Sequence, residues 1–437
     1  MIKIKHLSEL TEQELSGLFN RFGSDFSEIM IKTVVPIVND VRARGDEAVI
    51  EYTGKFDRVK TATVLAAEEE IENGYRSVPG EVIDAFMEAK ENIEDFHHRQ
   101  LRDDIRYTRD DGTVLGVSYQ PIGSAAMYVP GGKASYPSSV LMGVIPARIA
   151  GCESISVITP PGSDGKVPDV ICAICRILGV NRIIKAGGAQ GIAAAGFGTQ
   201  TVPKADIIVG PGNIFVTAAK TYLFSMGVIQ IDSMAGPSEV LIVADGNANP
   251  KWIAWDLLSQ AEHEEMALAV LVTPSEKLAR DVAEEIDRDI TAGKGRHAIK
   301  KTSIARGGLI LVCESIDQAV EFSNIYGPEH MELVVDNPLD YLGRIMNVGS
   351  LFLGPHAPVA VGDYYSGTNH ILPTGGAARF SSGTSVDTFM RRTTFQWLPE
   401  AALKKALGPV GVMSKVEGFD DKHGGSIRVR FEKEGGS

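Results

Sequence analysis

Between residues 125 and 225 the chain alternates short apolar runs with longer amphipathic ones, and glycine-bearing turns follow three of the apolar runs. Residues 125–129, 154–159, 182–185 and 205–209 read as strands, and residues 138–150, 168–178, 190–195 and 215–225 as helices. This alternation argues for parallel βαβ units, because parallel neighbours need a long crossover and a helix supplies it. In such sheets ligands bind beyond the carboxyl ends of the strands. Three turns stand at those ends: Pro130-Gly131-Gly132, Gly187-Gly188-Ala189-Gln190 and Gly210-Pro211-Gly212-Asn213. Glycine there lets backbone N–H groups approach a ligand, and the helix that follows favours negative charge. A dinucleotide suits such turns. The chain has no G-x-G-x-x-G fingerprint, so another phosphorylated ligand stays open on these residues alone.

A second strand and helix series follows, with strands at 240–244, 267–272 and 309–312 and a helix at 252–263. With 437 residues the chain is too long for one simple core, so two or more lobes are expected. Residues 10–105 read as mainly helical, with Pro36 tolerated only in a first helical turn. The adjacent His97 and His98 on a charged helix read as a solvated face. The basic, glycine-containing stretch 291–308 reads as a surface loop, and the chain after Val386 as helical and then polar, fraying towards Gly435-Gly436-Ser437. No internal repeat is visible on the two sides of Ser233.

The formal net charge of -13 argues against nucleic-acid or anionic-membrane partners, which need a basic surface. Among four cysteines, Cys172 and Cys175 form a lone C-x-x-C in an apolar run. Without a second pair it reads as small buried side chains of a helix. The opening MIKIKHLSEL has no apolar signal region, and the apolar run 140–150 carries Pro146 and Arg148. No segment approaches the roughly 18 uncharged apolar residues of a membrane span, so a cytoplasmic protein is expected.

Three segments could carry chemistry. On the helix 252–263, Asp256, Gln260 and His263 fall at i, i+4 and i+7 on one face, and Gln260 and His263 are close enough to hold one ion. Tyr326-Gly327-Pro328-Glu329-His330 places a carboxylate beside an imidazole able to exchange protons near neutral pH. Residues 354–374 hold His356, Asp363 and His370 among glycines and prolines. A zinc ion suits these donors, and a two-histidine, one-carboxylate iron site is equally compatible with the spacing.

Eight stretches run in one order from Tyr128 to Arg392: YVPGGKASYPSSVLMGVIPA, KAGGAQGIAA, VGPGNIFVTAAK, IDSMAGPSEVLIVAD, DLLSQAEH, YGPEHMELV, GSLFLGPHAPVAVGDYYSGTNHILPT and SSGTSVDTFMRR. Together they resemble the histidinol dehydrogenase family. The resemblance implies an α/β fold of two Rossmann-like lobes with parallel-type sheets, and small helical terminal extensions exchanged between the subunits of a homodimer. The expected boundaries are an N-terminal extension at 1–22, a main lobe with the zinc and catalytic residues at 23–125 and 238–380, an NAD-contacting lobe at 126–237, and a C-terminal helical extension at 381–437.

It further implies zinc- and NAD-dependent oxidation of L-histidinol to L-histidine, the last step of histidine biosynthesis. Gln260, His263 and Asp363 match the family's zinc ligands, Glu329 and His330 its catalytic pair, and Ser238 and Glu417 its substrate contacts. Gln260, His263, His330, Asp363 and His423 would also touch the substrate. Tyr128, Gln190 and Asn213 match its NAD contacts. The family's fourth zinc ligand is a histidine five residues after the Glu of a Glu-Gly-Leu. Here Glu417-Gly418-Phe419 has Lys422 at that spacing and His423 one residue later, so His423 takes the role; His356 and His370 are the fallback ligands, a role that the resemblance does not give them. A relative acting on another zinc-held alcohol, such as a sulfonated diol, would share most of the pattern.

Overall fold

The computed structural model describes residues 2–19, 21, 26–131, 135–234 and 236–432. Gly132 and the chain end at Gly435, Gly436 and Ser437 lie outside them. In chain order the strands are β1 (Lys3–His6), β2 (Ile105–Thr108), β3 (Val114–Pro121), β4 (Ser124–Tyr128), β5 (Ser154–Thr159), β6 (Ile183–Lys185) and β7 (Ile207–Val209). There follow β8 (Gln230–Ile231), β9 (Glu239–Ala244), β10 (Leu268–Thr273), β11 (Gly308–Val312), β12 (His330–Val334), β13 (Ser350–Leu353) and β14 (Met390–Trp397).

Two parallel sheets carry the larger unit, which spans 1–100 and 122–389. One is ordered β6-β5-β4-β7-β8 and the other β1-β11-β10-β9-β12-β13. Setting β1 aside, the two share one pattern: the chain steps outward twice from a central strand, then returns to its other side. Parallel sheets are covered on both faces, so their strands read as unbroken apolar runs. All six residues of β9, EVLIVA, are buried. The residues on either side of Ser233 therefore build lobes of one topology, although no repeat is visible in the sequence.

The helices between Phe26 and His98 pack on the five-stranded sheet. Val34, Val38, Val41 and Val49 share one core with Ala126, Ile158, Ile184 and Ile208. This partition differs from the expected grouping of 23–125 with 238–380. Cys172 and Cys175 are buried in the helix Asp169–Ile177, as their apolar surroundings imply.

Four local expectations are corrected. Basic composition suggests a loop at 291–308, yet Glu276–Ala292 and His297–Gly307 are helices. Lys300 is buried there and paired with Asp289, while Ser303 and Ile304 face the core. His97 is fully buried rather than solvated; its Nδ1–H donates to Ile93 O at 2.9 Å and its Nε2 accepts from Asn369 at 3.3 Å. The N-terminal extension is not purely helical, since β1 joins the six-stranded sheet beside β11. The C-terminal extension is not purely helical either. MRRTTFQW, rich in β-branched and aromatic residues, forms β14.

The smaller unit spans 101–121 and 390–437. It contains an antiparallel sheet ordered β14-β3-β2 and the helix Glu400–Val416. Large apolar side chains stand exposed on it, among them Trp397 at 60%, Phe419 at 60% and Val416 at 83%. Among the described residues no helix is long and apolar enough to cross a membrane.

A buried ion pair ties the N-terminal segment to the head of β9. Arg21 Nε lies 2.6 Å from Glu239 Oε2, its Nη2 donates to Oε1 at 2.9 Å, and its guanidinium stacks 3.8 Å from the centre of the Tyr326 ring. Both side chains are almost wholly excluded from solvent, at 4% and 0%. Arg21→Ala strands the carboxylate and is expected to cost about 3–5 kcal/mol. The double variant Arg21→Met/Glu239→Gln is expected to lose clearly less. Urea midpoints of the three proteins check this, and an equal or larger loss in the double variant contradicts it.

Candidate active site

The chemistry-bearing side chains of the six-stranded sheet gather where β9 and β12 begin, at the amino ends of two neighbouring parallel strands. His330 sits in register with Val240, which puts Ser238 and Glu239 beside Glu329 and His330. Glu329 is buried at 6% exposure, and its Oε2 accepts from Ser238 Oγ and from the Glu239 N–H, each at 2.8 Å. Gln260, reaching in from the helix Pro250–Ala261, donates to Ser238 Oγ at 2.7 Å. A relay of hydrogen bonds thus runs from Gln260 through Ser238 to Glu329. The Glu329-His330 dipeptide is a packed strand entrance and not a surface loop.

His330 is equally buried. Its Nδ1 lies 3.1 Å from Glu239 O, so the Nδ1–H donates to a backbone carbonyl and the neutral ring presents a lone pair at Nε2. Among the described residues Nε2 has no hydrogen-bond partner. Asp363 Oδ1, at 3.7 Å, is too distant for a hydrogen bond but close enough for strong charge attraction. Asp363 stands on the short helix Val359–Tyr364, where glycine and proline content suggests a loop.

Burial and charge pull these groups in opposite directions. Burial pushes Glu329 up to about 7, against the His330 charge and its two hydrogen-bond donors. Burial alone lowers His330, but the Glu329 and Asp363 carboxylates outweigh it and raise the imidazole to about 9. Burial would raise Asp363; His330, His370 and His263 overcome this and hold it below the usual carboxylate range. Burial holds His263 below its ordinary value, favouring the neutral imidazole that a metal requires.

The other two histidines of residues 354–374 are accounted for. His370 donates from Nδ1 to Asp363 O at 2.9 Å and accepts at Nε2 from Ser139 Oγ at 3.1 Å, so both nitrogens are engaged. His356 is exposed and lies 5.9 Å, ring to ring, from Trp252.

The five-stranded sheet contributes its carboxyl ends, as expected. The turn after β7 is pinned: the Gly210 N–H donates to Asp232 Oδ2 at 2.8 Å, Lys220 donates to Gly210 O at 3.0 Å, and Lys220 and Asp232 are a buried ion pair. Gly210 has φ +118°, and a Cβ there would fall 2.1 Å from Tyr128 O. Only glycine lets this turn pass so close to β4. Asn213 caps the helix Ile214–Ser225, its Oδ1 accepting from Phe215 N at 3.0 Å and Val216 N at 3.2 Å. The Tyr128 hydroxyl accepts from the Gly188 N–H at 3.4 Å. Gln190 is 1% exposed, and among the described residues neither of its amide atoms is paired; Asp57, raised by burial, likewise carries an unpaired Oδ2 beneath the turn at Gly187 and Gly188.

A cavity of about 260 Å³ lies between the sheets, and Pro130, Asn213, His263, Glu329, His330 and Asp363 are on its wall. Tyr128, Gln190 and Gln260 are not among its lining residues. Glu417 and His423 belong to the smaller unit, where both are exposed; Glu417 caps the C-terminus of the helix Glu400–Val416. Among the described residues no three His, Cys, Asp or Glu side chains cluster at metal-holding distance. The larger unit supplies two of those residue types, His263 and Asp363, alongside the carboxamide of Gln260. Reading the sequence misses Glu239, Asp57 and the Lys220–Asp232 pair. Glu239 had a signal, since it is the one charged residue heading an otherwise apolar strand.

Comparison with known proteins places this arrangement. The family model for histidinol dehydrogenase matches residues 21–431. The histidinol dehydrogenase of Leptospira biflexa is 48% identical over 397 residues, covering 91% of each chain. That of Methanocaldococcus jannaschii is 43% identical over 431 residues, covering 98% of this chain and 99% of its own. The crystal structure of histidinol dehydrogenase from Elizabethkingia anophelis superposes with a TM-score of 0.91 at 35% identity, covering 98% of both chains. With the family model spanning nearly the whole length and relatives this close, the chain belongs to the histidinol dehydrogenase family.

Proposed function

We propose that this protein is a cytoplasmic, zinc- and NAD-dependent dehydrogenase that oxidises L-histidinol to L-histidine by way of the aldehyde, the last step of histidine biosynthesis. The observation that carries the reading is the buried His330 ring, its Nδ1 committed to a backbone carbonyl and its Nε2 unpaired beside the cavity. An unsatisfied buried nitrogen is costly unless a ligand uses it.

The donors suit zinc. Gln260, His263 and Asp363 would supply an amide oxygen, a neutral imidazole nitrogen and a carboxylate oxygen, all acceptable ligands. His423 would complete a four-coordinate site from the other subunit of a homodimer, and Glu417 would follow it to meet the substrate's cationic amine. The exposed Trp397, Val416 and Phe419 support burial of the smaller unit's apolar surface on assembly. NAD would lie along the turns after β4, β6 and β7, near Tyr128, Gln190 and Asn213. When bound, the zinc ion orients the amino alcohol and NAD accepts hydride.

The chain's own groups then handle protons and position. His330 Nε2 takes the hydroxyl proton in the first oxidation. A cation held by Asp363 and His263 would repel a proton on His330 as well as engage Asp363, and so favour the neutral base. Glu329, whose Oε2 is fixed by Ser238 and the Glu239 N–H, takes a proton from the water that adds to the aldehyde. Its elevated pKa suits that exchange near neutral pH. The second oxidation completes a four-electron change.

Purified protein with zinc and excess NAD is expected to yield two NADH for each L-histidinol consumed, and to give no matching yield from small sulfonated diols. A single NADH per histidinol, or none, overturns the assignment. His330→Asn is expected to lower turnover by about 10²–10⁴-fold while metal analysis finds zinc unchanged; zinc lost in step with activity would make His330 a ligand instead. Subunit exchange is tested by mixing two impaired variants. His330→Asn and His423→Ala dimers, refolded together, should regain about a quarter of native activity, since hybrid dimers hold one intact site. No recovery places His423 outside the neighbouring subunit's site.

A further inference from the structure

Behind the strand that carries His330, two acidic side chains meet. Glu332, two residues further along β12, points to the same side of the strand as His330 and is 2% exposed. Its carboxyl group shares a small recess with that of half-buried Asp256, one helical turn before Gln260, where the two interact as a hydrogen-bonded pair. Two carboxyl groups can hydrogen-bond to each other only if they hold a proton between them. Glu332 Oε1 also accepts from the backbone N–H of Val359 at 2.9 Å. Val359 opens the helix Val359–Tyr364 that carries Asp363.

The connectivity is specific. One side chain joins strand β12, the helix Pro250–Ala261 and the helix Val359–Tyr364. These three elements present His330, Gln260 and Asp363, and His263 follows directly on the first helix. We propose that Asp256 and Glu332 form a one-proton clasp whose task is to position the two ligand-bearing helices against β12. They are positioning residues and touch neither substrate nor cofactor. The inference rests on the zinc site proposed above for Gln260, His263 and Asp363.

The surroundings agree with a retained proton. In register with Glu332 are Ile242 on β9 and Phe352 on β13, both apolar. Asp256 and Glu332 share a small recess with Trp252, Ile253, Val334 and Pro358, none of them charged. The titratable groups nearby are His330, whose charge acts on Glu332, and exposed His356, next to Trp252. Burial pushes both carboxyl groups above the ordinary range; Asp256 holds the proton on Glu332, while the hydrogen bond from Glu332 favours the ionised form of Asp256.

The test separates the shared proton from mere bulk. Glu332→Gln and Asp256→Asn each replace one member of the pair with an amide that can donate to the carboxylate left behind. Both are expected to keep zinc affinity, measured by competition with a chromophoric chelator, within about twofold of native. Glu332→Ala and Asp256→Ala are expected to weaken it by about 10-fold or more, as loss of a ligand's support does. Hydrogen exchange supplies a readout free of the metal. In Glu332→Ala the amides of 359–364 should exchange at least about tenfold faster, and in Asp256→Ala they should stay near native because the Val359 bond survives. Should Glu332→Ala not fold, the Asp256→Ala and Asp256→Asn pair carries the test. Native zinc affinity in the alanine variants overturns the proposal, as does damage in the amide variants equal to that in the alanines. Absence of zinc uptake by native protein overturns the site reading on its own, and native exchange of 359–364 in Glu332→Ala then overturns the positioning role of Glu332.

Discussion

Glu239 brings a carboxylate into a region closed to bulk solvent. Its side chain is fully buried, and burial pushes its carboxyl group upward against the pull of Arg21. The ion pair with Arg21 and a hydrogen bond from the Gly375 N–H at 3.1 Å hold it in place. The same residue's backbone N–H goes to Glu329, and its carbonyl receives the Nδ1 of His330. One residue therefore fixes the orientation of both groups assigned to proton transfer. Such preorganisation matters because a base misplaced by an ångström loses much of its advantage.

The two lobes share a strand order and use it in opposite senses. In the five-stranded sheet the order reverses between β4 and β7, and the pinned turn after β7 stands at the carboxyl side of that reversal, where ligands of open α/β sheets bind. In the six-stranded sheet the order reverses between β9 and β12, yet the reactive residues head those strands. The carboxyl side is closed instead: Asp245 Oδ2 accepts from the Asp336 N–H at 2.9 Å, and the Asp245 N–H donates to Val334 O at 3.1 Å. The cavity thus sits between the exit of one sheet and the entrance of the other.

That inversion explains what could be read in the residues beforehand. Periodicity finds strands such as 154–159 and helices such as 215–225, because burial on both faces leaves an unbroken apolar run and burial on one face leaves a helical stripe. It fails at 291–308, where the partner of Lys300 lies on a different helix and no local pattern reveals it. It fails again at β14, whose strand character depends on pairing with β3 across a long separation in sequence. The site was legible as motifs more than as geometry. Gln260, Glu329, His330 and Asp363 stand out by residue type and spacing, and the resemblance adds Ser238 and the roles, but the relay from Gln260 through Ser238 to Glu329 exists only once two strand entrances and a helix come together. His370 illustrates the opposite error: its residue type suggests a ligand, whereas its two nitrogens are already engaged.

The edge strand β1 has a consequence for how the chain comes to be folded. It pairs with β11 at the edge of the sheet, and Arg21, which follows it closely, must find Glu239 across 218 positions. During translation these N-terminal pieces leave the ribosome long before their partners exist. Contacts so distant in sequence slow folding and lengthen the time for which an unpaired edge stays exposed. The N-terminal segment then waits for β11 before it can be secured, and a nascent chain stalled before β11 would show that segment to chaperones or to its own kind.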